Sequence, residues 1–174
     1  HGMRFSINIS GASIAADGSA GKDARKLTAG NPAGDGSPLY SPDGRYLSFV
    51  QQRIKGFYAD KGRLMLQARG DGKTRELFAD WDRSAGGLVW ARDSRRLFGA
   101  IDDAGTVRVY ELPLDGAPRK VTAAASFTAL AVSDSGVDSV AVGRLVLRTE
   151  ADGAVRPYFS PHLAQRFVSA VDVL

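Results

Sequence analysis

Asp71-Gly72-Lys73-Thr74-Arg75-Glu76-Leu77 is the first of three stretches that share the pattern Asp-Gly-x-x-Arg-x-apolar. The second runs from Asp115-Gly116 to Val121, and the third runs from Asp152-Gly153 to Tyr158. A looser copy, with four inserted residues, begins at Asp17-Gly18. The successive Asp-Gly starts lie 54, 44 and 37 residues apart, a period typical of propeller blades rather than of helical repeats. The chain is therefore predicted to be an array of β-repeats.

A second turn signal precedes the first within each repeat. In Tyr40-Ser41-Pro42-Asp43-Gly44, proline favours the first central turn position and glycine favours the left-handed position that closes a hairpin. Weaker copies lie at residues 90–94 and 132–136. Alternating stretches at residues 64–68, 107–111 and 145–149 precede the Asp-Gly turns and predict strands. Each repeat thus has four antiparallel strands, which is one propeller blade.

We therefore predict an all-β fold, a partial β-propeller of about three to four four-stranded antiparallel blades. Residues 1–3 are interpreted as a tag remnant, and the rest as one propeller fragment divided into a partial blade at 4–30, blades at 31–80 and 81–125, and a shortened blade with a C-terminal strand at 126–174. The apolar tail favours truncation of a longer chain. Because so few blades cannot close a ring, we also expect self-association through blade edges at residues 5–9 and 140–147, with residues 167–174 available to add a strand.

Composition fits a β-domain of this kind. Hydrophobic residues make up 44% of the chain, which has 20 glycines and 7 prolines, as expected for many short strands joined by turns. No window approaches the roughly 18 unbroken apolar residues of a membrane helix, so no membrane partner is expected. The net charge of +4 is spread over pairs such as Arg95-Arg96 and Arg119-Lys120, which indicates a solvated surface rather than nucleic-acid binding. The absence of cysteine excludes disulfides and thiolate metal sites but leaves the compartment open.

The sequence does not supply a recognisable set of serine, histidine and acidic residues for a catalytic triad. The string nearest to a nucleophile elbow, Gly11-Ala12-Ser13-Ile14-Ala15, lacks the last glycine and lies in a turn-rich stretch. His162 is the only histidine outside the tag remnant, and we interpret it as a solvated loop residue. We therefore expect this chain alone not to hydrolyse peptides.

Three further motifs are interpreted as structural, so no metal or cofactor is expected. Gly70-Asp71-Gly72-Lys73-Thr74 ends like a phosphate-binding loop but lacks its first glycine and is a repeated hairpin turn. Asp80-Trp81-Asp82-Arg83-Ser84 resembles the start of a calcium loop but has neither the glycine nor the final glutamate at the required positions. Asp102-Asp103, followed by Ala104-Gly105, fits a hairpin connection, where adjacent carboxylates diverge.

One insertion suggests a functional surface. Between its second and third strands the first full blade inserts residues 51–63, where the other blades have short turns. In a four-stranded meander such loops and the blade-to-blade connectors emerge on the same face, and binding residues concentrate on loops. In the alternative interpretation the loop folds back, Asp60 pairs with Arg83 or Arg63, and the aromatics cover the blade edge. The candidate contact face consists of Phe57, Tyr58, Asp60, Lys61, Trp81, Asp82 and Arg83.

Three of these motifs together carry a family resemblance. Tyr40-Ser41-Pro42-Asp43-Gly44, Gly56-Phe57-Tyr58-Ala59-Asp60 and Trp81-Asp82-Arg83-Ser84 resemble the β-propeller of bacterial dipeptidyl aminopeptidase/acylaminoacyl-peptidase enzymes of the prolyl oligopeptidase (S9) family. The resemblance covers roughly residues 22–174. It implies a non-catalytic propeller segment, in the cytoplasm or periplasm of a bacterium, that caps an α/β-hydrolase domain of the parent chain and restricts access of peptide substrates to a serine nucleophile.

Two alternatives remain open. The first is a TolB-like, WD40-type propeller that acts as a protein-binding scaffold and has no hydrolase partner. The second is a propeller lyase or glycosidase, although the chain lacks the histidine or metal-ligand clusters that such an enzyme needs. A further coding sequence that carries Gly-x-Ser-x-Gly would favour the peptidase.

Overall fold

The structure is a computed structural model that describes residues 8–13, 19, 21 and 25–122, together with the backbone of strands at 130–132, 139–142, 145–149 and 155–158. Its chain divides into two compact units. One consists of His1–Tyr40 and Gly44–Ala85, and the other consists of Ser41–Asp43 and Gly86–Leu174. The described residues contain no helix, and their strands form three four-stranded antiparallel sheets and one two-stranded pair. The predicted all-β class is confirmed.

The first unit holds a short strand pair and one four-stranded meander. The pair is β1 with β2, and the meander has the order β3-β4-β5-β6. The bounds are β1 Ser10–Gly11, β2 Arg25–Lys26, β3 Asp35–Tyr40, β4 Tyr46–Gln51, β5 Arg63–Ala68 and β6 Thr74–Glu76. Because side chains alternate along a strand, Leu47 and Phe49 share one face of β4, and Phe49 is the cross-strand partner of Met65. These three side chains form a buried cluster with Ile9, against which Leu27 packs.

The second unit contains the other two sheets, with orders β7-β8-β9-β10 and β11-β12-β13-β14. The bounds of the first are β7 Val89–Trp90, β8 Arg96–Asp103, β9 Thr106–Pro113 and β10 Arg119–Lys120. Those of the second are β11 Leu130–Val132, β12 Ser139–Val142, β13 Leu145–Thr149 and β14 Val155–Tyr158. The long β8–β9 hairpin carries the fully buried side chains of Leu97, Phe98, Ile101, Val109 and Leu112.

Three of the predicted hairpin turns are confirmed where the structure describes them. Each has its glycine at positive φ: Gly44 at +69°, Gly72 at +70° and Gly116 at +107°. The predicted turn at Asp152-Gly153 lies outside the described residues, but the strands on either side of it pair, with Thr149 opposite Val155.

The β8–β9 connection is tighter than the sequence suggested. Both Asp102 and Asp103 belong to β8, and the turn consists of Ala104 and Gly105, at φ +51° and +78°. The two carboxylates lie on opposite faces of the strand, since Asp102 is exposed and Asp103 is buried. They therefore do not converge on a common ligand.

Asp103 belongs to a polar cluster on this hairpin. Its carboxylate accepts a 2.9 Å hydrogen bond from the Tyr110 hydroxyl and lies 2.8 Å from the Lys120 ammonium. Burial and the neighbouring carboxylate raise the pKa of Tyr110, while the hydrogen bond to Asp103 raises the pKa of Lys120. The cluster links the β8–β9 hairpin to β10, on which Lys120 lies.

Several sequence-based predictions fall outside the described residues. They are the tag remnant at 1–3, the loose repeat start at Asp17-Gly18, the loop residue His162 and the C-terminal tail at 167–174. The side chains of residues 140–147, which were predicted to form an associating edge, are also outside the description.

Candidate functional site

The inserted loop of the first unit, residues 52–62, joins β4 to β5 and is attached to the segment that follows β6. The Lys61 ammonium donates to the Ala79 carbonyl oxygen at 3.1 Å, and the Gly62 N–H donates to the Ser84 hydroxyl at 3.0 Å. In return, the Ala85 N–H donates to the Gly62 carbonyl oxygen at 2.7 Å. The loop and residues 79–85 therefore lie side by side at the same end of the first unit.

Asp60 is the residue that holds the loop together. Its carboxylate accepts hydrogen bonds from the backbone N–H groups of Arg53 at 2.5 Å and Ile54 at 2.8 Å. It also pairs with the Arg63 guanidinium at 3.1 Å. These interactions, the Ile54 N–H bond foremost, lower the pKa of Asp60 to about 2. Asp60 therefore remains ionised at neutral pH and stabilises the loop from within, with its side chain buried.

Further contacts close the loop around this carboxylate. The Gln52 side-chain amide donates to the Asp60 carbonyl oxygen at 3.0 Å, and the Arg53 guanidinium pairs with Glu76 of β6 at 2.7 Å. Two turns shape the tip, with the Phe57 N–H donating to the Ile54 carbonyl oxygen and the Asp60 N–H donating to the Phe57 carbonyl oxygen. The loop is therefore anchored at both ends and turned at its centre.

The anchored loop exposes apolar side chains. Tyr58 is 96% exposed, Phe57 51% and Ile54 54%. The pairing of Asp60 with Arg63, which the folded-back interpretation offered, is present, whereas the aromatic side chains face solvent and do not cover the blade edge. The role of the loop as a contact surface stays a prediction. A residue that sequence reasoning missed is Ile54, whose signal was an apolar side chain between two cations in the stretch Arg53-Ile54-Lys55.

The neighbouring segment contributes the rest of the predicted face. The Trp81 ring meets the Phe78 ring edge-on, with centroids 6.0 Å apart, and is half-buried. Asp82 is exposed, and the Arg83 guanidinium donates to the Asp82 carbonyl oxygen at 2.6 Å. Six of the seven predicted residues thus present some side-chain surface on two adjacent segments, whereas Asp60 points inward.

Of the candidate catalytic residues in the sequence, the structure describes Ser13 but not His162. Ser13 is exposed, just after β1, and its carbonyl oxygen accepts a 2.8 Å hydrogen bond from the Gly21 N–H. No histidine lies in the described ranges, since His1 and His162 are both outside them. The same residues contain no group of three or more histidine, cysteine, aspartate or glutamate side chains placed to hold a metal. None of the described chain forms a helix with the length and apolarity needed to cross a bilayer.

Comparison with known proteins gives partial sequence matches. No family model matches the chain. The probable dipeptidyl-peptidase 5 of Aspergillus flavus is 36% identical over 81 residues, which are 46% of this chain and 11% of that protein. The probable dipeptidyl-peptidase 5 of Arthroderma benhamiae is 30% identical over 80 residues, which are 45% of this chain and 11% of that protein. The chain thus spans about a tenth of the length of the curated relatives it matches.

Solved structures resemble the fold over most of the chain. TolB from Acinetobacter baumannii aligns with a TM-score of 0.56 and 14% identity, covering 81% of this chain and 36% of TolB. A puromycin-hydrolyzing peptidase from Mycobacterium tuberculosis aligns with a TM-score of 0.58 and 22% identity, covering 84% of this chain and 25% of the peptidase. With the four-stranded antiparallel sheets, these similarities confirm the predicted partial propeller. The chain is therefore a partial all-β propeller with distant, partial homology to fungal dipeptidyl-peptidase 5.

Proposed function

We propose that this chain is a non-catalytic segment of the propeller of an S9-type serine peptidase that releases dipeptides or acylated amino acids from peptide N-termini. The observation that carries the proposal is the 36% identity over 81 residues to a probable dipeptidyl-peptidase 5. In this proposal the serine nucleophile belongs to an α/β-hydrolase domain elsewhere in the parent chain. The propeller segment caps that domain and restricts the access of peptide substrates.

The exposed loop supports a contact role within this proposal. Phe57 and Tyr58 form an apolar surface on a loop that hydrogen bonds already fix in one conformation. Binding through a pre-ordered loop avoids the entropic cost of ordering it. We propose that the hydrolase domain or the incoming peptide covers these aromatics, with Lys61, Asp82 and Arg83 at the polar margin.

The test uses the native polypeptide that contains this sequence, isolated with an antibody against the chain. We expect it to react with a fluorophosphonate probe and to release dipeptides from chromogenic dipeptidyl substrates. The labelled serine should map outside these 174 residues. The isolated chain, tested in parallel, should show no turnover, and Ser13→Ala should change nothing.

Two results would overturn the proposal. A native polypeptide without a reactive serine or peptidase activity would instead favour the alternative of a TolB-like propeller that acts as a protein-binding scaffold. Turnover by the isolated chain that Ser13→Ala abolishes would place the nucleophile within this segment.

A further inference from the structure

A groove of about 430 Å³ lies within the first unit, between the β1–β2 pair and one face of the four-stranded sheet. Its lining includes residues of β1 and β2, the ends of β3 and β5, and Gly72 of the following turn. Its volume is within the range of small-molecule sites. The groove is lined by a different set of residues from the inserted loop described above, and a ligand could bind in it whether or not the proposed function is correct.

The described lining of the groove carries positive charge. Two arginines line it, Arg25 from β2 and Arg69 just after β5, and no carboxylate appears among its described lining residues. Neither guanidinium forms an ion pair with a carboxylate in the described part of the chain. Two guanidinium groups in one groove favour an anionic ligand, and their planar donors match the two oxygens of a carboxylate.

One of these guanidinium groups is held in place. Arg69 lies over the Tyr40 ring, 4.9 Å from its centroid, and donates one hydrogen bond of 3.0 Å to the Gly44 carbonyl oxygen. An arginine has five N–H donors, so most of them remain for a ligand. The Tyr40 side chain, which is 53% exposed, extends this surface with an aromatic face.

Beside the charges, the groove has an apolar wall. Leu47 of β4 and Leu27 line it, and both belong to or pack against the buried cluster of this unit. A ligand that fits both parts combines one carboxylate with an apolar body. We propose that this groove binds the carboxylate of a short apolar peptide, with the carboxylate between Arg25 and Arg69 and the apolar side chain against the leucines.

A titration of the isotope-labelled full chain, followed by NMR, tests the proposal. The probe is N-acetyl-leucyl-leucine, and the comparison ligand is the same compound with an amidated C-terminus. We expect backbone amide shifts at Leu27, Tyr40 and Gln67, and affinity weaker by about tenfold or more for the amide, the usual effect of losing charge-assisted hydrogen bonds. A third ligand, N-acetyl-leucyl-glutamate with an amidated C-terminus, distinguishes an acidic side chain from a free C-terminus as the source of the carboxylate.

Substitutions of single arginines test which positive charges bind the carboxylate. Arg25→Gln removes an exposed side chain and should weaken binding of the free carboxylate by about tenfold while leaving the chain folded. Arg69→Gln should have a similar effect. The matched control is Arg75→Gln, which removes the same charge from exposed β6 outside the groove and should leave binding unchanged.

The proposal is overturned if the amide and the free acid bind equally, if inorganic phosphate binds as tightly as the peptides, or if no shifts appear at millimolar ligand. Equal losses of affinity in Arg25→Gln and Arg75→Gln would also overturn the proposal, because they would indicate that the ligand is attracted by the net charge of the protein alone.

Discussion

The backbone N–H of Asp43 donates a 3.1 Å hydrogen bond to the Ser94 hydroxyl, although 51 residues separate them in sequence. The two residues lie in corresponding turns of successive repeats, Ser41-Pro42-Asp43-Gly44 and Ala91-Arg92-Asp93-Ser94. Ser94 occupies the left-handed position that Gly44 takes in the earlier copy, with φ at +56° and +69° respectively. A serine there has a conformational cost that glycine avoids, and its hydroxyl provides an acceptor that glycine lacks.

Ser94→Ala should therefore destabilise the protein. The substitution keeps the strained backbone position but removes the acceptor of the Asp43 N–H, so we expect a loss of about 1 kcal/mol in the free energy of unfolding. Urea denaturation measures this loss, and Ser10→Ala, at an exposed position of β1, is the control. Equal midpoints for Ser94→Ala and the unsubstituted chain would show that the hydrogen bond contributes nothing to stability.

Asp60→Asn should loosen the inserted loop. Asparagine preserves the size of the side chain but loses the charge that pairs with Arg63, and it offers a weaker acceptor to the N–H groups of Arg53 and Ile54. We expect faster hydrogen exchange at those two amides, measured by NMR. Asp82→Asn, which changes an exposed carboxylate of the neighbouring segment, should leave both exchange rates unaltered.

The same carboxylate predicts a pH dependence of stability. The pKa of Asp60 falls from 3.8 to about 2 on folding, so its ionised form favours the native state. This contribution is fully present above about pH 4 and is lost as the pH falls toward about 2. The stability difference between the unsubstituted chain and Asp60→Asn should therefore be constant near neutral pH and shrink in this acidic range. Urea denaturation at about pH 7, pH 4 and pH 2 measures this stability difference. A difference that is undiminished at the lowest pH would contradict the prediction.

Gly72→Ala isolates the cost of a left-handed backbone. A methyl group at Gly72 would meet nothing within 4 Å, but φ is +70°. We expect a loss of about 1 kcal/mol in the free energy of unfolding. Gly70→Ala, in the same turn, also meets nothing within 4 Å and has no positive φ, so it should be neutral or slightly stabilising. Similar unfolding midpoints for the two variants would contradict the expectation.

Two aromatic substitutions should differ sharply in their effect on stability. Phe49 is 1% exposed in the buried cluster of the first unit, so Phe49→Ala should cost about 3–5 kcal/mol. Tyr58 is 96% exposed, so Tyr58→Ala should change stability by less than about 0.5 kcal/mol. Thermal unfolding of the two variants provides the comparison. A large loss in Tyr58→Ala would mean that its side chain has a partner in solution.

Much of the fold could be predicted because its turns depend on local chemistry. The Asp-Gly pairs that end at Gly44, Gly72 and Gly116 are visible in the sequence, and each of these glycines takes the positive φ that its turn requires. The left-handed positions of Ser94 and Phe78, at φ +56° and +59°, were not predictable in this way. Their side chains do not favour that conformation, so only the surrounding structure determines it.

The candidate site, like the fold, was predictable only where the signal is local in sequence. The spacing of the repeats identified the inserted loop, since an insertion is visible as excess length. The choice between Arg63 and Arg83 as the partner of Asp60 was open, because it depends on the path of the backbone between them. The groove between the β1–β2 pair and the sheet was not predicted either, since Arg25 and Arg69 are far apart in sequence and no repeat relates them.

In the inserted loop, the residue that fixes the backbone is distinct from the residues that form its exposed surface, and this decides which positions can vary. Asp60, which fixes the backbone, is buried, while Phe57 and Tyr58 contribute exposed surface and no contact that the loop conformation requires of their rings. Substitutions at positions 57 and 58 can therefore accumulate without a folding penalty, so that the surface presented by the loop can change in character while its backbone is kept.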